Sequence, residues 1–106
     1  PYSDIVRDAS IKRYEFSFEL LWKVVKIYLE EHEAVACNSP NSCFREAWKI
    51  LELTEKDGEL CIKMAHDRNL SVHVYSEKLA KGLYLKLGAY LEISKKIFDK
   101  ISKNVE

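Results

Sequence analysis

From Asp4 to about Glu33 the chain runs 30 residues without a glycine or a proline, and its apolar spacing is helical throughout. Lys12, Glu15, Glu19, Lys23, Lys26 and Glu30 fall on one stripe about 80° wide at 3.6 residues per turn. Most of the remaining surface is apolar. Tyr14, Phe18, Leu21, Trp22, Val25, Tyr28 and Leu29 take one side, and Phe16, Leu20, Val24 and Ile27 lie beside them. A single core contact needs a stripe only a little over 100° wide. A helix this apolar is expected to pack against several helices, or against a second subunit. Ser3 is a candidate cap for it, with Asp4 in its opening turn.

The rest of the chain reads the same way. It has three Gly, two Pro and no β-rich run of period two. Ser39 followed by Pro40 reads as an N-cap and first helical residue, opening a second helix to about Leu53 with Phe44, Ala47, Trp48 and Leu51 inward. "TEKDGE" reads as a turn broken at Asp57-Gly58. A third helix is expected from about Glu59 to Leu70, with Leu60, Cys61 and Met64 facing inward. Ser76 caps a last helix to about Lys103, whose predicted core stripe is Ala80, Leu83, Tyr84, Leu87, Leu91, Phe98 and Ile101. There is no internal repeat, linker or low-complexity segment. The expectation is one domain over residues 1–106, all-α, an antiparallel up-and-down bundle of about four helices.

Composition limits the function classes. Apolar residues make up 47% and charged residues 32%, the balance of an ordinary soluble chain. Net charge is zero, so bulk charge argues for neither a nucleic-acid nor a membrane partner. No apolar run approaches 18 residues and no signal-peptide pattern occurs, which predicts a cytoplasmic protein without a membrane partner. Cys37, Cys43 and Cys61 are odd in number and lack CxxC spacing, so free thiols are expected rather than a disulfide framework or a zinc site. The neutral total hides a local bias: residues 76–106 carry seven Lys against four acidic residues. That segment is a candidate approach for phosphate; the alternative is a solvated face with its lysines spread around it.

The polar chemistry is crowded into residues 66–75, "HDRNLSVHVY", where the third helix meets the fourth. Arginine offers a permanent charge and a planar fork suited to phosphate. Histidine exchanges protons near neutral pH. Cleaving RNA without metal needs a base, an acid and a cation at the phosphate. Arg68 and His73 are about 140° apart on a continuous helix, so they do not share a face. Asn69 and His73 do, as do Arg68 and Tyr75. The group makes most sense if the segment bends, or if two copies meet across a dimer. Against this stands the simpler reading, in which Arg68 and His73 cap a helix C-terminus and Tyr75 is a half-buried core edge. His32 and His66 read as solvated. His66 and His73 are seven apart, but no acidic residue is placed as a third ligand, so neither metal nor cofactor is expected.

"RNLSVHVY" has an arginine, four residues, a histidine, one residue and a tyrosine, a pattern that resembles the HEPN superfamily of small helical nucleotide-binding and ribonuclease domains. More narrowly, "RYEFSFELLWKVVKIYLEE", "SPNSCFREAW" and "HDRNLSVHVYSEKLA" together resemble the nucleotidyltransferase substrate-binding-like family over about residues 4–100. The resemblance implies a homodimeric helical bundle partnered by a minimal nucleotidyltransferase, with RNA or a nucleotide as ligand. In many such pairs the helical subunit is an RNase toxin and the nucleotidyltransferase its antitoxin, which in some adds AMP to the motif tyrosine. Carried over, Arg68 and His73 are the catalytic pair, Tyr75 the modified residue, and Asn69 the polar residue that orders the site. The family usually has a further helix ahead of the one described first, which here has been lost or precedes Pro1. The competing reading is a non-catalytic subunit that holds nucleotide or acceptor for the nucleotidyltransferase; a third is a structural dimer whose motif only caps helices.

Overall fold

The computed structural model describes residues 2–73 and 76–106, except for the side chains of Val72 and His73. Four helices follow in chain order: α1 Tyr2–His32, α2 Pro40–Ile50, α3 Glu55–His73 and α4 Glu77–Val105. No strand occurs among the described residues, and the all-α bundle is as the periodicity predicts. Each helix packs on the next, and α1 also packs on α3 and α4. The molecule measures 47 × 23 × 22 Å. A helix of 31 residues is about 46 Å long, so α1 alone sets the long axis. It is the spine on which the other three lean, which accounts for most of its wide apolar surface.

The core draws on all four helices: Phe18, Leu21, Val25 and Leu29 from α1, Phe44 and Ala47 from α2, Cys61 and Met64 from α3, Tyr90, Ile93 and Ile97 from α4. Tyr14 stacks on Tyr90 with ring centroids 5.7 Å apart, and Phe18 meets Phe44 at the same separation. The α1 face predicted from spacing is the buried one. Its second face is not: Phe16, Leu20 and Ile27 are 68%, 51% and 53% exposed.

The structure corrects four expectations. The turn after α2 lies at residues 51–54, not at Asp57-Gly58. Thr54 caps α3, accepting from the Asp57 amide at 3.1 Å. Gly58 sits inside the helix because a Cβ there would overlap the Trp48 indole; it is a close-approach glycine, not a breaker. Second, α3 extends three residues past Leu70, unbroken at Val72. Third, the buried stripe of α4 is Ala80, Leu83, Tyr90, Ile93, Ile97 and Ile101, whereas Tyr84, Leu91 and Phe98 are exposed. Fourth, Cys37 and Cys43 form a disulfide, their Cα atoms 5.2 Å apart. The intervening loop folds back over the Ser39 capping box, whose hydroxyl accepts from the Ser42 amide, and brings the two sulfurs together. Cys61 is free and buried, as expected.

Candidate functional site

Asp67, Arg68 and Asn69 are consecutive on α3, so they project about 100° apart around its axis. Each addresses a different neighbour. Asp67 turns to α4, where its carboxylate accepts from the Tyr90 hydroxyl and from Lys86 Nζ, the latter at 3.2 Å. Burial, then the bond to Asp67, push the Tyr90 hydroxyl well above the usual phenol range. Arg68 turns to α1: its Nη2 donates to Glu19 Oε2 at 3.4 Å. Asn69 is exposed and borders a shallow pocket of about 450 Å³ against the start of α2, with Ser39, Asn41, Lys63 and His66.

Arg68 is the residue with chemistry to spare. Its side chain is only 25% exposed, yet the Glu19 contact is the single side-chain partner of its guanidinium, and the buried Nε has none among the described residues. A buried donor left unpaired costs free energy, about 1–3 kcal/mol. Beside it, Ser71 Oγ contacts Glu15 Oε2 at 2.8 Å and the Arg68 carbonyl at 2.9 Å. Both acidic residues come from the charged stripe of α1. Glu15 and Glu19 were therefore missed: charge at helical spacing signals solvent, and only the packing of α1 on α3 reveals the contact.

Of the sequence-predicted site residues, Arg68 and Asn69 lie on adjacent faces of α3 and do not converge. His73 is the last described residue of α3, and its side chain lies outside the described residues, as does the whole of Tyr75. The helix is continuous from Arg68 to His73, which removes a bend between them and leaves the two positions about 140° apart. A smaller pocket of about 210 Å³ opens between the end of α3 and the start of α4, with Asp67, Ser71, Lys78 and Lys86 over Ile11 and Leu83. Two of the α4 lysines are already engaged: Lys86 with Asp67 and Lys96 with Asp57. Among the described residues no group of three His, Cys, Asp or Glu side chains is placed to hold a metal, and no helix is long and apolar enough to cross a membrane.

The fold and the Asp67-Arg68-Asn69 fan define a small helical bundle whose third helix carries, five residues before its end, an arginine with one side-chain partner among the described residues. Residues 1–103 match the family described as nucleotidyltransferase substrate binding protein like, and the chain belongs to that family. A crystal structure of a protein from Thermus thermophilus is similar over 92% of this chain and 82% of that one, with a TM-score of 0.87 and 33% sequence identity. A comparison with curated proteins gives no match.

Proposed function

We propose that this chain is the nucleotide-binding helical subunit of a two-component nucleotidyltransferase, with Arg68 as the phosphate anchor and a minimal nucleotidyltransferase as its partner. Family membership over residues 1–103 supports the partnership. The observation that carries the ligand class is the Arg68 guanidinium, its side chain 25% exposed and, among the described residues, bonded to Glu19 alone. Asn69 is the neighbouring polar residue that orients the bound group, and Tyr75 is the position an AMP group would modify. The subunit acts as a homodimer, seated on the exposed apolar face of Phe16, Leu20 and Ile27. The test is mixing with a minimal nucleotidyltransferase. A stable complex whose activity rises on addition of the chain, and does not rise with Arg68→Ala, is the expected result. No complex at micromolar concentrations would contradict the partnership.

The Arg68–His73 motif supports a second reading, a metal-independent RNase toxin silenced by that partner, which the continuity of α3 restricts to a dimer. One chain cannot aim Arg68 and His73 at one phosphate across about 140° of helix, whereas two copies can contribute one residue each. In that reading His73 transfers the proton and Arg68 stabilises the crowded phosphate. Incubation with cellular RNA in EDTA should then yield 2′,3′-cyclic phosphate ends, and His73→Ala should lose about 10²–10⁴-fold in rate. Identical RNA patterns from the two proteins would rule out the RNase reading.

A further inference from the structure

We propose that Glu19 of α1 is the positioning residue for Arg68, holding its guanidinium in the orientation that receives phosphate; the inference rests on the phosphate-binding reading above. An arginine side chain has four rotatable bonds, and ordering it on ligand binding costs affinity unless something has ordered it beforehand. Across the described residues that something is one contact, Arg68 Nη2 to Glu19 Oε2 at 3.4 Å. It secures one terminal nitrogen, Nη2; Nε is buried, and Nη1, which is not buried and makes no hydrogen bond among the described residues, is the donor left for a ligand.

A carboxylate beside a phosphate site ordinarily repels the ligand. Here the other oxygen of Glu19 faces Lys23 Nζ at 3.6 Å, on the solvent side of α1. Glu15, one turn earlier, repeats the arrangement: Lys12 Nζ at 3.5 Å on one side, Ser71 Oγ at 2.8 Å on the other. Each carboxylate thus carries a lysine outward and an α3 partner inward. The lysines offset the negative charge that the arginine needs as its anchor. Glu15 and Ser71 fix the α1–α3 register at which Glu19 meets Arg68.

The two roles open to Glu19 predict opposite signs. A carboxylate that is merely nearby weakens phosphate binding, so removing it tightens ATP. A positioning carboxylate strengthens it, so Glu19→Ala weakens ATP binding by up to about tenfold. Glu19→Gln keeps an oxygen that accepts from the guanidinium, and should stay within about threefold of wild type. Calorimetric titration of ATP into wild type, Glu19→Ala and Glu19→Gln reads the sign. NMR of the arginine Nε–H groups in the ligand-free protein reads the positioning without any ligand. A sharp Arg68 signal in wild type and Glu19→Gln, broadened in Glu19→Ala, is the expected pattern. Tighter ATP binding by Glu19→Ala, or an Arg68 signal indifferent to that change, would overturn the proposal. Absence of ATP binding by wild type, with the signal still dependent on Glu19, would instead defeat the phosphate reading on which it rests.

Discussion

Among the described residues, two that are not glycine hold left-handed backbone conformations, Ala34 at φ 55° and Glu52 at φ 53°. Each lies just past the end of a helix, with closing bonds that span six and five residues respectively. The Val35 amide returns to the Leu29 carbonyl at 2.9 Å, and the Leu53 amide to the Trp48 carbonyl at 3.0 Å, bonds that satisfy helix-end carbonyls. The left-handed region costs an L-residue about 1–2 kcal/mol, against roughly 0.5–1 kcal/mol of extra chain entropy lost by glycine. Both residues are exposed, so nothing else is lost on substitution. Glu52→Gly should therefore raise Tm by a few degrees in a thermal melt; a lower Tm would show that the backbone there is not strained. Gly58 gives the opposite case: Gly58→Ala drives a methyl into Trp48 and should lower Tm. Neither position is legible from sequence. A glutamate carries no sign of its φ, and a glycine after an aspartate looks like a turn until Trp48 is seen packed on it.

At the scale of elements, the α1–α2 link is tied by Cys37–Cys43, a loop with a sequence separation of six. A cross-link over so short a loop stabilises by about 2 kcal/mol in the chain-entropy account. Cys61 is fully buried, and burial, then the nearby Asp57 charge, push its thiol up to about 12. Thiol titration should find no reactive cysteine in the native protein, one after unfolding, and three after unfolding with reductant; a reactive thiol in the native state would contradict the pairing. The other clasp joins the two long helices. Buried Arg7 on α1 grips Glu77 at the start of α4, with Nη1–Oε1 at 2.7 Å and Nη2–Oε2 at 3.3 Å. The Arg7 hydrogen bonds and charge hold the Glu77 carboxyl below its ordinary range. A lowered folded-state value means the contribution is complete above the unfolded value, about 4.3, and is lost as pH falls through the folded one. The Tm gap between wild type and Glu77→Gln should hold steady from pH 8 to 5 and close in acid; a gap unchanged at pH 3 would rule out the linkage.

The wide face of α1 is the feature that sequence carries to the scale of the whole molecule. Its helical class and its Phe18–Leu29 core face follow from spacing, because no breaker interrupts it. The fourth helix is less legible. It bears two apolar stripes at helical spacing, one through Leu83, Tyr90 and Ile97 and one through Tyr84, Leu91 and Phe98; periodicity cannot say which faces the core. The exposed stripe borders a groove of about 460 Å³ between α1 and α4, lined by Tyr14, Phe18, Leu87, Leu91 and Phe98. Phe16 and Leu20 are exposed on the adjoining face of α1, so the apolar surface continues past the groove, and a contiguous apolar surface marks an interaction site. Sedimentation of the full natural chain should show a dimer at micromolar concentration, and Leu20→Lys should shift it toward monomer without unfolding it; a monomeric wild type would contradict this. Of the site, the Arg68-Asn69 pair was legible as chemistry in a crowded motif. Its partners were not, since Glu19 lies 49 residues away and reads as a surface charge.

The central claim is that Arg68 anchors a phosphate, and ATP titration at two salt concentrations tests it most directly. Wild type should bind, and should bind more weakly at the higher salt, because part of the attraction is between charges that salt screens. Arg68→Lys should lose most of the affinity, since an ammonium does not reproduce the guanidinium fork. Binding by Arg68→Lys equal to wild type, or wild-type binding indifferent to salt, would contradict the account.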